Sequence, residues 1–310
     1  MRVDGPGQGA AVTGTSPPGR VRLLAHRGAS ALEPEHSRSA YVRAIADGAD
    51  GLECDVRLTR DGVAVCWHDA TLDRTSDACG PVHEATLEQL RSVRLRRPRE
   101  AGGAWSTVGE VLTLRELLEL ALAAGRALTV AVELKHPAPY DLAAEEAVLA
   151  DLAELGWDAS TGTLGALRIS LMSFHPDSLA HLALRVPAQH LMVLLDVPDD
   201  GVPDEHGLDD VLDGVLMRTT DDDPGAAGRA AAWRLAGGDP GGASAAGTGV
   251  GVGPGLDVVR RYPERVRAWV RSGRAVRVWT VNTREDAAAC VALGVVELTT
   301  DDPGALRSGV

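Results

Sequence analysis

LLAHRGASALEPEHSRSAYVRAIADGADGLECDVRL, Leu23 to Leu58, reads as strand, helix, strand. Leu23-Leu24-Ala25 is a short apolar run that ends at His26-Arg27-Gly28. Ser37 stands where a helix cap belongs, ahead of Tyr41, Ala44 and Ile45 at helical spacing, and Gly48 stops the helix. From Gly51 the pattern changes to alternation, with Leu52, Cys54 and Val56 on one face and Glu53, Asp55 and Arg57 on the other. Side chains two apart on a strand share a face, so Glu53 and Asp55 project together. Neighbouring carboxylates repel and raise each other's pKa unless a cation lies between them, which suits a hard-cation site. His68-Asp69 follows within the same short span.

Beyond this unit the alternation of strand-like and helix-like segments continues. Val63 to Trp67 reads as a hairpin partner of the preceding strand across the Arg60-Asp61-Gly62 turn. Residues 70 to about 110 are charged and irregular, an excursion rather than a core element. Helix from Leu114 to Ala124, strand from Ala127 to Lys135 and helix from Asp141 to Leu155 come next. Strand from Leu164 to Ser173, helix from Pro176 to Leu184, strand from Leu191 to Val197 and an acidic helix follow. Residues 221–255 are rich in Gly, Ala, Pro and Asp and read as a long flexible loop. The series ends with a helix over Leu256–Arg271, strand Ala275–Val281, helix Arg284–Leu293 and strand Val295–Thr300. About eight strands alternating with helices predict an α/β fold, a (β/α)8 TIM barrel with a small insertion after the second strand. An open doubly wound sheet is the rival, but it usually carries a glycine-rich phosphate loop after its first strand, and no GxGxxG or GxxxxGK[ST] occurs. The barrel puts chemistry at the C-terminal ends of strands, where His26, Glu53, Asp55, Glu133, Lys135, Ser173, Trp279 and Asp301 all fall.

Bulk composition narrows the partners. The 310 residues carry a formal charge of −13, which argues against binding to nucleic acid or to an anionic membrane surface. Cys54, Cys66, Cys79 and Cys290 show no CxxC spacing, so neither a zinc site nor a disulfide framework is indicated, and a cytoplasmic location is the expectation. Residues 1–20 lack the apolar core of a signal peptide and read as a disordered tail ahead of one barrel domain over 21–310. No run approaches the length of a membrane span, so no stable membrane insertion is expected. Lys135 is the only lysine, in a chain that otherwise uses arginine. A compact ammonium there points to a task that the planar guanidinium fork does not perform.

The motifs in their order resemble the glycerophosphodiester phosphodiesterase family, from about Leu23 to Pro303. The family's His-Arg-Gly and Glu-Asn-Thr correspond to His26-Arg27-Gly28 and Glu35-His36-Ser37. Its Glu-x-Asp-Val, Thr-x-Asp-Gly and His-Asp correspond to Glu53-Cys54-Asp55-Val56, Thr59-Arg60-Asp61-Gly62 and His68-Asp69. Leu72-Asp73-Arg74-Thr75, Thr113-Leu114, Glu133-Leu134-Lys135, Ser173-Phe174, Trp279-Thr280-Val281-Asn282 and Thr300-Asp301-Asp302-Pro303 complete the set. Each is weak alone; their sequence is specific. The chain departs from the pattern at His36 (Asn in the family), at Ser37 (Thr) and at Glu297, where the family is usually apolar.

The resemblance implies that Glu53, Asp55 and Glu133 hold one divalent cation, and three inward carboxylates suit Mg²⁺ or Ca²⁺ rather than zinc. It implies His26 and His68 as the acid–base pair, with His26 expected as base and His68 as acid. Arg27 and Lys135 would neutralise the phosphate, Glu35 would orient Arg27 or a substrate hydroxyl, and Trp279 would lie against the substrate. The remaining singled-out histidines, His83, His181, His190 and His206, read as structural. The activity so implied is metal-dependent hydrolysis of a small-molecule glycerophosphodiester to glycerol 3-phosphate and an alcohol. The alternatives are a lysophospholipase D, favoured if residues 70–110 line the mouth with apolar groups, and a barrel that binds phosphodiesters without turnover.

Overall fold

The computed structural model describes residues 20–98, 103–137, 140–196 and 249–308. Eight parallel strands run in chain order around a barrel: β1 (Arg22–Ala25), β2 (Gly51–Leu58), β6 (Leu128–Leu134), β8 (Leu167–Ser173), β9 (Leu191–Leu195), β10 (Gly251–Pro254), β11 (Arg277–Val278) and β12 (Glu297–Thr300). Each pairs with its sequence neighbour in the series, and β12 returns to β1 with Arg22 opposite Glu297. The seam between β10 and β11 is held by single bridges, Val252 to Val276 and Gly255 to Trp279. The barrel is therefore nearly closed, and the expected α/β class is what the chain adopts.

The local rules explain most elements. Ser37 caps helix α1 (Arg38–Ala46), its Oγ accepting from the Ala40 amide at 3.0 Å. Thr113 and Glu116 form a capping box at the start of α3 (Leu114–Ala123), which buries Leu114, Leu117, Leu118 and Ala121 against the sheet. On β2 both faces are buried. Leu52, Cys54 and Val56 join the main core between sheet and helices, while Glu53 and Asp55 lie on the opposite face. A second layer inside the barrel consists of Leu24, Ala131, Met172, Met192 and Leu194, with Trp279 packed on it.

Three expectations need correction. The segment 70–110 is not merely irregular. It follows the short antiparallel strand β3 (Ala64–Cys66) and contains the helix α2 (Leu87–Arg91) and the antiparallel pair β4 (Arg94–Arg96) and β5 (Trp105–Val108). Val82, Leu90, Val93 and Leu95 pack with Val65, Trp67, Leu72 and Val111 as a small core of its own. Second, β10 lies inside the stretch expected to be a flexible loop. Glycines replace bulky residues there because the neighbours occupy the space: a Cβ at Gly253 would stand 2.6 Å from Leu194 Cδ2. Third, the helix expected over Leu256–Arg271 is two, α6 (Leu256–Arg261) and α7 (Pro263–Arg271). Pro263 lacks an amide hydrogen and disfavours helical backbone at the residue before it, so Tyr262 leaves the helix. The tail before residue 20, the acidic helix after β9 and most of the 221–255 loop lie outside the described residues.

Glu297 also acquires a reason. Arg277 extends to β8, donating to Ser170 Oγ at 3.0 Å, while its Nε and Nη2 each lie 3.0 Å from Glu297 Oε2. Arg22 approaches the other carboxylate oxygen at 2.5 Å. The acid at 297 is the counter-charge of a buried arginine.

Candidate active site

The first βα loop is set by turns that side chains rarely adopt. Arg27 and His36 are the non-glycine residues with positive φ among those described, at 57° and 61°. Gly28 follows at 84°, and a Cβ there would lie 2.8 Å from the Ala40 carbonyl carbon, so only glycine fits. This loop holds the carboxylates of β2. The Arg27 amide donates to Glu53 Oε2 at 2.9 Å, and Arg27 Nε stands 3.1 Å from Asp55 Oδ2.

Glu53, Asp55 and Glu133 converge at the C-terminal ends of β2 and β6, each offering an oxygen within 4.8 Å of the others. All three are buried. Lys135 Nζ approaches Glu133 Oε1 at 2.5 Å and Asp55 Oδ1 at 3.2 Å. Glu133 Oε1, closed off from solvent, has that ammonium as its charged neighbour. Burial, together with repulsion from Asp55, pushes Glu53 well above the ordinary carboxylate range and Glu133 up to about 8. Burial opposes the Asp55 charge too, but the His36 hydrogen bond and the Lys135 and Arg27 charges outweigh it and hold Asp55 well below that range. Such a cluster sets three buried carboxylates against two cationic side chains, Arg27 and Lys135, and the donor set of three convergent carboxylates fits a hard divalent cation.

His26 and His68 both line the cavity above this cluster. Each has a carboxylate on Nδ1: Asp301 at 2.7 Å from His26, and Asp69 at 2.6 Å from His68. The ring nitrogen not engaged by a carboxylate is Nε2 in both cases. Asp301 is itself fixed by Ser30 Oγ at 3.0 Å and Asn282 Nδ2 at 2.6 Å. Burial is the main cause that lowers His68, with help from Lys135 and Arg27, to about 4. His68 is thus neutral at pH 7. Glu35 takes Arg27 Nη1 at 3.0 Å and a two-pronged contact from Arg74 at 2.7 Å. Arg74 also binds Asp69, at 2.6 Å through Nε, so one guanidinium links the partners of Arg27 and His68. Against the cost of burial, Arg74 and Arg27 hold Glu35 down at about 2.

The cavity measures about 230 Å³. Its polar side is His26, Arg27, Glu53, His68, Glu133, Lys135, Asp196, Arg277 and Thr299; Met172, Phe174, Leu194 and Trp279 make the apolar wall. Trp279 is held by a bond from Nε1 to the Gly253 carbonyl at 2.8 Å and meets Phe174 edge-on at 5.6 Å. All the singled-out site residues thus gather at one end of the barrel. Asp69, Arg74 and His36 are marked in the sequence only by a motif position, and Asp301 by a motif position and its place at a strand end; their partners lie up to 275 positions away. His181 pairs with Glu146 and His190 approaches the Ser160 carbonyl, His83 sits in the insertion, and His206 lies outside the described residues.

The chain has relatives among known proteins. The profile of the glycerophosphoryl diester phosphodiesterase family matches residues 26–305. A probable glycerophosphodiester phosphodiesterase 1 of Mycobacterium tuberculosis is 34% identical over 295 residues, 94% of this chain and 92% of that one. The crystal structure of a putative glycerophosphoryl diester phosphodiesterase from Silicibacter pomeroyi superposes with a TM-score of 0.67 at 26% identity, over 94% of this chain and 93% of the other. An Oleispira antarctica phosphodiesterase solved with the product sn-glycerol-3-phosphate shares the fold, with a TM-score of 0.66 at 19% identity over 93% and 96%.

Proposed function

The chain belongs to the glycerophosphoryl diester phosphodiesterase family, and we propose that it hydrolyses glycerophosphodiesters to glycerol 3-phosphate and an alcohol by metal-assisted acid–base catalysis. The convergence of three buried carboxylates, two Asp-oriented histidines, Arg27 and Lys135 on one cavity carries this reading. A divalent cation held by Glu53, Asp55 and Glu133, Mg²⁺ or Ca²⁺, would supply positive charge to the phosphate oxygens. Arg27 and Lys135 neutralise the remaining charge and the charge that develops on the phosphorane. An acidic protein thereby presents a locally cationic pocket to an anionic substrate.

His68 is neutral at pH 7, which suits it to accept the proton of the attacking hydroxyl at Nε2. The proton for the leaving oxygen then comes from His26 Nε2, with Asp301 stabilising the imidazolium. This reverses the direction expected from the sequence. The attacking oxygen is that of water or of the neighbouring glycerol hydroxyl, the latter giving a cyclic phosphate that water opens. Trp279 and Phe174 form the wall against which the glycerol chain lies. We place the enzyme in the cytoplasm on its cysteine usage, as one barrel domain over 21–310.

Among the described residues lining the cavity none comes from 70–110, where Leu72, Val82, Leu90, Val93 and Leu95 pack in the insertion's own core and Trp105 and Val108 are exposed. That favours glycerophosphodiesters over lysophospholipids. A panel of glycerophosphocholine, glycerophosphoethanolamine, glycerophosphoinositol and lysophosphatidylcholine, read by glycerol 3-phosphate and lysophosphatidate release, decides between them. Faster turnover of the lysophospholipid would overturn the preference, and silence on every substrate would favour a non-catalytic binding barrel.

A further inference from the structure

His36 is 3% exposed and makes two side-chain contacts. Its Nε2 lies 2.9 Å from Asp55 Oδ2, and its Nδ1 lies 2.8 Å from the Tyr41 hydroxyl. A carboxylate only accepts, so Nε2 carries a proton and donates to Asp55. The Tyr41 hydroxyl is fully buried and lies 3.1 Å from the Glu53 carbonyl as well as beside Nδ1, so its single proton serves one of these two acceptors at a time. His36 is also tied through its own amide to the Arg27 carbonyl at 2.9 Å. It adopts φ 61°, a backbone state that is costly for a side chain of this size and persists only where the surroundings enforce it.

The consequence falls on Asp55. With Oδ2 taken by His36 Nε2 and faced by Arg27 Nε, the carboxylate can rotate little, and Oδ1 is left towards Lys135 and the cluster of Glu53 and Glu133. We propose that His36 is a positioning residue of the cation site, fixing Asp55 from behind while Tyr41 fixes the imidazole. The inference rests on the reading of Glu53, Asp55 and Glu133 as cation ligands. It assigns a task to a position where the family pattern has asparagine. An asparagine nitrogen is as far from Cα as Nδ1, on the Tyr41 side, and falls short of the place that Nε2 occupies. Glutamine places an amide nitrogen at the distance of Nε2.

The test is calorimetric titration of the metal-free full-length protein with MgCl₂ and with CaCl₂, without substrate. Loss of an outer partner of a metal ligand typically costs about 10–100-fold in affinity, and that is the loss expected for His36→Leu. His36→Gln, which retains a donor to Asp55, should recover most of it. Tyr41→Phe should weaken binding by less than His36→Leu, because the imidazole remains but loses its stop. At saturating metal the kcat of His36→Leu should return close to that of the wild type, with the loss confined to the metal concentration required. Thermal unfolding of each metal-free variant separates this from a general loss of fold. If His36→Leu does not fold, the Gln and Tyr41→Phe titrations carry the test. Equal affinity of wild type and His36→Leu would overturn the proposal, as would equal weakening by Leu and Gln, which marks a packing role. A wild type that binds neither ion, like Glu133→Gln, would instead overturn the cation site itself and the proposal with it.

Discussion

Removing the carboxylate of Glu297 should unfold this barrel more readily than removing most of its surface charges together. Arg277 and Glu297 are 4% and 8% exposed, and two nitrogens of the arginine stand 3.0 Å from one carboxylate oxygen. At 3.0 Å and an effective dielectric constant of about 20, the attraction is about 5.5 kcal/mol before any desolvation. Glu297→Leu leaves the guanidinium inside the barrel with Ser170 Oγ and the weak acceptor Met172 Sδ as its partners on β8. Breaking one side of a buried pair costs about 3–5 kcal/mol, against about 5–15 kcal/mol for the whole stability of an ordinary domain. Arg22 contributes less, because its side chain is 37% exposed and water takes over when the acid is lost. Urea unfolding should show the midpoint falling with an unchanged slope. Replacing both partners, as Arg277→Met with Glu297→Leu, removes the orphaned charge and should restore stability to within about 1 kcal/mol of the wild type. A single Glu297→Leu variant within about 1 kcal/mol of wild type would refute the argument, since the arginine would then be finding solvent.

Other outcomes follow from the site. Glu35 is held at about 2 against an ordinary 4.5, so its stabilisation is complete above pH 4.5 and is lost as pH falls towards 2. At about 1.36 kcal/mol per unit this amounts to about 3 kcal/mol, and Glu35→Gln should lose it at pH 7 and flatten the acid limb of stability measured by denaturant titration. A Glu35→Gln protein with the wild-type acid limb would count against the Arg27–Glu35–Arg74 linkage. His26→Ala and His68→Ala should each reduce turnover of glycerophosphocholine by about 10²–10⁴-fold. With a p-nitrophenyl leaving group, which departs without protonation, only His26→Ala should recover; recovery of His68→Ala instead would restore the opposite assignment.

How far the sequence reaches depends on the distance over which each signal acts. The Leu52-Cys54-Val56 alternation, the Ser37 cap and the Gly48 stop are local, and the structure follows them. β10 was lost in a glycine-rich stretch because its own residues carry little apolar signal; Leu194 and Met192 of β9 occupy the space that its side chains would have filled. The insertion core escaped notice because Val82, Leu90, Val93 and Leu95 follow no single period. Pro263 is a local signal too, and it divides the helix. At the site, residue identities were legible from motif order, whereas pairings were not. Asp301 orients His26 from the last strand end, Arg74 connects Glu35 with Asp69, and His36 lies behind Asp55. Glu297 made sense only once Arg277 was seen reaching inwards from the neighbouring strand.

Release of glycerol 3-phosphate from glycerophosphocholine, followed with EDTA and then with MgCl₂ or CaCl₂ added back, tests the central claim most directly. Release that EDTA abolishes and either ion restores, and that Glu133→Gln lacks, is the predicted result. Release that continues undiminished in EDTA would contradict a cation held by Glu53, Asp55 and Glu133.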